Sequence, residues 1–158
     1  MSVEKLIEIA HALTSGTVTN TDSCEYGGVG AAILTKKYNI YTGISLDNAC
    51  GIGFCAEHSA VAEMLKNNET EILLCVAVSK RRKILPPCGR CREMLYQINK
   101  ENLKAHVAVS LDKTVQLFEL LPMPWQESKW LIINELRSLY TLIYLLCTNY
   151  TWLTRFQK

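Results

Sequence analysis

The sequence lacks a strong excess of charge of either sign. Its 158 residues carry 17 lysine and arginine side chains against 15 aspartate and glutamate side chains, a formal net charge of +2. A balance this mild does not by itself indicate a nucleic-acid or membrane partner. The chain also lacks the repeated alternation of basic and aromatic residues that lines a groove for single-stranded nucleic acid. We therefore expect the basic run at 80–83 to be a solvated surface turn and expect no nucleic-acid partner.

Long apolar runs are missing as well. The uncharged stretch 138–154 contains four threonines and an asparagine, and it is shorter than the ~20 residues that cross a bilayer. We expect no membrane span. No signal-peptide pattern precedes the first helix-like segment, and the seven cysteines are an odd number. These features do not indicate a disulfide framework, and we expect a reducing cytoplasm.

The length and an apolar fraction of 49% predict one compact domain. Apolar residues recur at helical spacing in three segments, which are 2–14, 55–66 and 91–98. Runs of β-prone residues predict five strands, at 29–34, 38–44, 72–78, 105–109 and 114–118. The polar, glycine-containing stretch 45–54 is predicted to be a loop. Together these elements predict an α/β fold, a three-layer α/β/α sandwich around a five-stranded mixed sheet.

Two short cysteine-containing stretches stand out from this pattern. One reads Cys-Ala-Glu at 55–57, and the other reads Pro-Cys-Gly-Arg-Cys at 87–91. Three thiolates with this spacing occupy three positions of a tetrahedral zinc ion and leave the fourth for water, which is typical of catalytic zinc. We therefore predict one zinc ion per chain, held by Cys55, Cys88 and Cys91. Glu57 is predicted to handle the protons of the water.

Both stretches are predicted at the N-termini of helices, where unpaired amide groups and the helix dipole favour negative charge. Three thiolates on one zinc ion leave a net charge of about −1. Nearby cations should therefore influence how acidic the bound water becomes. The candidates for this role are His58, Arg90 and Arg92.

The same residues allow less specific interpretations. Two cysteine motifs can build a structural zinc site without chemistry, and Glu57 can be a first-turn carboxylate stabilised by the helix dipole. A structural site normally has four protein ligands, and the fourth here would have to be His58 or a distant cysteine. The alternative from a different functional class is a catalytically silent zinc-binding or assembly module.

The two stretches, continued through Arg92 and Glu93, resemble the zinc signature of the cytidine deaminase superfamily in its small form with three cysteine ligands. Residues 29–32 resemble the superfamily's first strand, and the segment 120–125 resembles its closing segment. The resemblance covers roughly residues 3–126 and implies zinc-dependent hydrolytic deamination of a cytosine nucleoside, giving a uracil nucleoside and ammonia. It also implies a role in pyrimidine salvage and a homotetramer, with a dimer as the other assembly.

Two close relatives within the superfamily, the nucleoside-type cytidine deaminases and the blasticidin-S deaminases, imply different substrates. The nucleoside enzymes carry Asn-x-Glu-Asn before the first zinc cysteine, where the Asn and Glu hold the ribose; this chain has Ser-Leu-Asp-Asn at 45–48. Cytidine or deoxycytidine is the simplest substrate implied, and blasticidin S or another modified cytosine nucleoside is the alternative. The residues expected to contact the substrate are Tyr26, Ser45, Asp47, Ala56, Pro87 and, from a neighbouring subunit, Trp125.

His58 occupies a position where the nucleoside enzymes usually have an arginine that hydrogen-bonds to the zinc thiolates. It lies one turn beyond Cys55. The side chain can donate to a thiolate and partly compensate its charge, ligate zinc itself, or pack beneath the site.

The chemistry requires hydroxide at carbon 4 of the cytosine ring, protonation of ring nitrogen 3, and protonation of the departing amine. One carboxyl group, that of Glu57, can carry the protons in all three steps. The carbonyl groups around Pro86 and Pro87 are candidate acceptors for the departing amine.

Residues 127–158 have no counterpart in the superfamily core. Apolar side chains alternate spacings of four and three, at Ile132, Leu136, Leu139, Ile143, Leu146, Tyr150 and Leu153. We predict a C-terminal helical extension at 127–158, distinct from the zinc domain at 1–126, that supports oligomerisation or packing. A helix folded back on its own domain, or an extension with little functional content, is the alternative.

Overall fold

The computed structural model describes residues 2–14 and 24–126. Its backbone contacts divide the chain into two compact units, Met1–Pro122 and Met123–Lys158. Every strand and helix described below belongs to the first unit. The predicted extension at 127–158 lies outside the described residues, so its helical character and the domain boundary stay predictions.

The described residues include four α-helices and five strands. The helices are α1 (Val3–Ala12), α2 (Ala56–Lys66), α3 (Gly89–Ile98) and α4 (Leu117–Leu120). The strands are β1 (Cys24–Thr35), β2 (Ile40–Asn48), β3 (Ile72–Ser79), β4 (His106–Ala108) and β5 (Thr114–Gln116). One sheet contains all five strands in the order β2-β1-β3-β4-β5. Only the β3–β4 pair in this sheet is parallel, so the predicted mixed sheet is confirmed.

Strand β3 shows why the sheet is covered on both faces. Cys75 and Ala77 pack into the cluster that contains the buried side chains of α2 and Leu95 of α3. The alternating residues Leu74, Val76 and Val78 pack into the cluster built on α1. Because successive side chains of a strand point to opposite faces, the unbroken apolar run of β3 supplies both layers. The predicted three-layer α/β/α arrangement is confirmed.

The loop predicted at 45–54 is wrong for its first four residues. Strand β2 continues through Asn48, and its end pairs with the start of β1, with Cys24 opposite Asn48 and Glu25 opposite Asp47. The polar residues that indicated a loop lie instead on an edge strand, where their side chains can be solvated. A shift of register between Tyr26 and Gly30 separates this pair of strand ends from the rest of the β1–β2 ladder.

The strand predicted at 114–118 is also wrong at its end, because residues 117–118 belong to α4. The side chain of Glu119 accepts a hydrogen bond from the backbone N–H of Gln116 at 2.8 Å. Gln116 and Glu119 together form a capping box that starts the helix. Within the described ranges, none of the helices combines the length and apolar character that a bilayer crossing demands.

Helix α2 lies against β2 at a glycine. A Cβ atom added at Gly43 would come within 2.3 Å of the Ala60 nitrogen and 2.5 Å of the Ala56 oxygen. Both atoms belong to the α2 backbone, which cannot move aside as a flexible side chain would. Glycine at this position therefore lets the helix approach the sheet closely.

We predict that Gly43→Ala lowers the free energy of unfolding by about 1–3 kcal/mol, because the added methyl group overlaps the α2 backbone. Urea denaturation measures the change. The matched control is Gly28→Ala in β1, where the nearest atom, the Ser45 hydroxyl oxygen, would be 3.9 Å from the new Cβ. The control should change the free energy by no more than ~0.5 kcal/mol. Equal effects from the two substitutions would contradict the close packing at Gly43.

Candidate functional site

The N-termini of α2 and α3 lie next to each other. Cys55 is the N-cap residue of α2, and Cys88 is the N-cap residue of α3. The chain leaves β3, turns at 80–83, and returns alongside the strand through a bridge between Val78 and Ile84. This return brings the second cysteine motif to the first.

Three cysteine sulphur atoms meet at this point. The Sγ atoms of Cys55 and Cys88 are 3.6 Å apart, and those of Cys88 and Cys91 are 3.5 Å apart. The Sγ atoms of Cys55 and Cys91 lie within 4.8 Å of each other. Thiolates bound to a tetrahedral zinc ion at about 2.3 Å are about 3.8 Å apart, so the three sulphurs fit zinc.

Burial and hydrogen bonding affect the three thiols differently. Burial raises the pKa of Cys55 and of Cys91. Burial also acts to raise the pKa of Cys88, but hydrogen bonds from the backbone N–H groups of Cys91 and Arg90 and from the neighbouring thiols outweigh it and lower that pKa. Cys88 is therefore the thiol of the three that ionises most readily.

Glu57 lies in the first turn of α2, and its side chain is buried. It lines the same cavity as Cys55 and Cys88. Burial raises the pKa of its carboxyl group, while hydrogen bonds to its backbone and to Cys91 act in the opposite direction. The structure thus places one buried carboxyl group beside the three sulphurs.

His58 and Arg90 form a hydrogen-bonded pair beside the sulphurs. The Nε atom of Arg90 donates to Nε2 of His58 at 3.2 Å, and Nδ1 of His58 lies 3.6 Å from the Cys91 sulphur. His58, Cys55 and Cys91 are close enough together for distance alone to admit the imidazole as a metal ligand. Burial lowers the pKa of His58, and the positive charge of Arg90 adds to this effect.

Arg92 does not point at the sulphurs. Its Nε atom donates to the carbonyl oxygen of Pro87 at 2.7 Å, and its Nη1 atom donates to the carbonyl oxygen of Leu120 at 3.1 Å. The side chain therefore ties the start of α3 to the end of α4.

A cavity of about 560 Å³ opens above the sulphurs, a volume within the usual range for small-molecule sites. Four residues that the sequence indicated as substrate contacts line it, namely Tyr26, Ser45, Asp47 and Ala56. Pro87 is buried, and Pro86 lines the cavity in its place. Trp125 is 61% exposed and belongs to the second compact unit, which begins at Met123.

Several lining residues were not predicted as site residues from the sequence, among them Glu25, Phe54 and Leu85. Glu25 faces Asp47 across the β1–β2 ladder, so a β1 prediction extended upstream through Tyr26 would have found it. Phe54 pairs with Leu46 through two backbone hydrogen bonds of 2.8 and 2.9 Å. The two residues are eight positions apart, at the two ends of the segment that was predicted to be a loop, and that prediction gave no sign of the pairing.

Comparison with known proteins places these residues in a family. The sequence model of the cytidine and deoxycytidylate deaminase zinc-binding region matches residues 2–107. The chain is 29% identical over 98 residues to a cytidine deaminase of Halalkalibacterium halodurans. The aligned region covers 60% of this chain and 74% of that relative. It is 33% identical over 70 residues to a cytidine deaminase of Mycobacterium tuberculosis. This second aligned region covers 44% of this chain and 53% of that relative.

Solved structures show the same fold. The crystal structure of cytidine deaminase from M. tuberculosis matches with a TM-score of 0.66 and 24% identity, covering 79% of this chain and 98% of that one. The cytidine deaminase from Bacillus anthracis matches with a TM-score of 0.61 and 22% identity, covering 84% of this chain and 95% of that one.

We predict that the purified protein holds one zinc ion per chain and that Cys88→Ser removes most of it. Serine is a poor zinc ligand, and the loss of one of three thiolates weakens the site. Metal analysis by mass spectrometry after dialysis measures the occupancy. Cys50→Ser is the matched control, because Cys50 is exposed on the turn after β2 and does not line the cavity. Full zinc retention in the Cys88 variant would exclude that thiol as a ligand.

Proposed function

Because the chain belongs to the cytidine and deoxycytidylate deaminase zinc-binding family, and is thus a hydrolytic deaminase, we propose that it deaminates a small cytosine nucleoside in a zinc-dependent reaction. Cytidine or deoxycytidine is the simplest substrate, and uridine or deoxyuridine with ammonia would be the products. The convergence of three cysteine sulphurs and one buried carboxyl group carries this proposal, together with the cavity that Cys55, Glu57 and Cys88 line.

In the proposed site, Cys55, Cys88 and Cys91 hold the zinc ion. When bound, zinc lowers the pKa of water from 15.7 toward about 7, which supplies a nucleophile at neutral pH. A site with three protein ligands keeps a position open for that water, as catalytic zinc sites do. The catalytically silent alternative needs a fourth protein ligand, for which His58 is the nearest candidate among the described residues.

Glu57 is the proposed carrier of protons. Its carboxylate takes a proton from the water, whose oxygen bonds to carbon 4, and delivers that proton to ring nitrogen 3. It then takes a second proton from the new hydroxyl group on carbon 4 and delivers it to the amine, as the bond between carbon 4 and the amine nitrogen breaks. The buried position in the first turn of α2 keeps the side chain away from bulk water and beside the sulphurs. One carboxyl group can therefore act at each step without a second acid.

The acceptor for the departing amine is proposed near the two prolines. Pro86 lines the cavity, whereas the carbonyl oxygen of Pro87 already accepts a hydrogen bond from Arg92 at 2.7 Å. A carbonyl oxygen has two lone pairs, so Pro87 keeps one available. Proline has no backbone N–H and leaves no competing donor at this position.

The sugar is proposed to lie against the ends of β1 and β2. Asp47 lines the cavity and can accept a sugar hydroxyl group. The Ser45 hydroxyl oxygen accepts a hydrogen bond from the backbone N–H of Val29 at 3.0 Å, which leaves its proton to be donated. Blasticidin S or another modified cytosine nucleoside is the alternative substrate, because this pair differs from the residues with which nucleoside enzymes hold ribose.

The other expectations from the resemblance are also proposals. We propose a homotetramer, in which Trp125 of one subunit would contact the base bound by a neighbour. A cytoplasmic setting is proposed as well, because the odd number of cysteines and the metal-ligand spacing of three of them do not indicate a disulfide framework. A role in pyrimidine salvage follows from the proposed substrates.

We predict that Glu57→Gln lowers kcat on cytidine by about 10²–10⁴-fold while zinc is retained, because the amide cannot transfer the protons. The fall in cytidine absorbance and the release of ammonia measure turnover. Glu71→Gln is the control; this exposed carboxylate pairs with Lys36 and does not line the cavity.

The unmodified protein should be tested first on a panel of cytidine, deoxycytidine, cytosine, cytidine monophosphate and blasticidin S. Turnover of one nucleoside identifies the substrate. If zinc-loaded protein converts none of the five compounds, the proposed activity is wrong and the silent zinc module is favoured.

We predict that Asp47→Ala raises KM for cytidine roughly 10-fold with little change in kcat, because a charge-assisted hydrogen bond to the sugar is lost. Steady-state kinetics separates the two parameters. Asp112→Ala serves as control, since Asp112 hydrogen-bonds to Ser110 outside the cavity. An unchanged KM in the Asp47 variant would remove this carboxylate from sugar recognition.

A further inference from the structure

His58 is placed between a cation and a cysteine sulphur. One ring nitrogen, Nε2, accepts a hydrogen bond from Nε of Arg90 at 3.2 Å. The other, Nδ1, faces the Sγ atom of Cys91 at 3.6 Å. His58 belongs to the first turn of α2, whereas Arg90 and Cys91 belong to the first turn of α3. The three side chains thus form a continuous line across the junction of the two helices.

The contact with Arg90 determines which nitrogen of His58 carries the proton. The guanidinium group has only donors, so Nε2 must offer its lone pair. In a neutral imidazole the proton then resides on Nδ1, the nitrogen that faces the sulphur. The Nδ1–H group is therefore a donor to Cys91 Sγ.

The same reasoning separates a hydrogen-bonding role from metal ligation. A histidine that binds zinc through Nδ1 uses the lone pair there and carries its proton on Nε2. That proton would point at the Arg90 donor, and the 3.2 Å contact would become repulsive. The distances that bring His58 within reach of the sulphurs therefore do not make it a ligand.

We propose that Arg90 acts on the metal-binding thiolates through His58, holding the imidazole in the tautomer whose Nδ1–H donates to Cys91 Sγ. His58 and Arg90 are positioning residues and do not touch the substrate's reacting atoms in this role. The inference rests on the proposed zinc site but not on the identity of the nucleoside. Arg92 cannot replace Arg90, because its guanidinium group donates to the carbonyl oxygens of Pro87 and Leu120.

The physical effect is a partial removal of charge from the sulphur. A hydrogen bond to a thiolate withdraws electron density, so the sulphur donates less to the metal and the metal stays a stronger Lewis acid. A fixed imidazole also keeps the sulphur in one orientation. Loss of an outer partner that orients a ligand typically lowers metal affinity by about 10–100-fold, although the freed sulphur is the stronger donor.

The first test needs no substitution. The ¹⁵N NMR spectrum of the zinc-loaded protein reports the protonation of each His58 ring nitrogen. We expect a protonated Nδ1 and an unprotonated Nε2. The reverse pattern would overturn the proposal and leave the proposed deaminase activity untouched. A metal-bound Nδ1 would overturn the proposal and also contradict the activity, because a fourth protein ligand closes the zinc site to water.

The second test uses cobalt in place of zinc, because thiolate-to-cobalt absorption bands report charge on the sulphurs. His58→Phe and Arg90→Ala should each move these bands to lower energy and weaken metal affinity by about 10–100-fold. His58→Asn retains an N–H near the Nδ1 position and should stay close to the parent. Arg81→Ala, in the exposed turn at 80–83, is the control and should not change the spectrum.

The double variant distinguishes a relay from a direct effect of charge. Asparagine offers Arg90 no ring nitrogen, so Arg90→Ala should cause no further shift in the His58→Asn background. A shift that persists there would show that Arg90 acts on the thiolates through space and would overturn the relay. If the parent protein gives no thiolate-to-cobalt bands, the zinc site itself and the proposal built on it are both wrong.

Discussion

The close approach of three cysteine sulphur atoms constrains the whole site. The sulphur of Cys88 lies 3.6 Å from that of Cys55 and 3.5 Å from that of Cys91. Thiolates this close repel one another unless a cation lies between them. The constraint reaches into both helices that carry the cysteines. Cys55 and Cys88 are the N-cap residues of the two helices, where the free amide groups and the helix dipole favour negative charge.

Packing away from the sulphurs keeps the two helix ends in place. The glycine at 43 lets α2 lie directly on β2, which sets the depth of Cys55 and Glu57 relative to the sheet. The start of α3 is held by Arg92, which bonds to one carbonyl oxygen before the helix and to another at the end of α4. The positions of the cysteine sulphurs therefore depend on the sheet beneath α2 and on the hydrogen bonds of Arg92.

Much of the fold follows from local pattern. The apolar run of β3 and the helical periodicity of α1 and α2 predict a sheet covered on both faces, and the structure has that architecture. The ends of elements were less predictable. Three of the four residues at 45–48 are polar, which indicates a loop, but an edge strand tolerates polar residues as well as a loop does. Glu25 was not predicted as a site residue, because its position beside the cavity depends on the pairing of β1 with that strand.

The sequence by itself determined the chemistry that is available, since three cysteines and a glutamate at these spacings indicate a metal with an acid/base group, and the match over residues 2–107 confirms the family. It left three roles open for His58, because those roles depend on groups that lie far along the chain. Only the tertiary structure decided that Nε2 faces Arg90 and Nδ1 faces Cys91. That arrangement exists because β3 and its return loop bring the start of α3 against the start of α2, a long-range contact that no local pattern encodes.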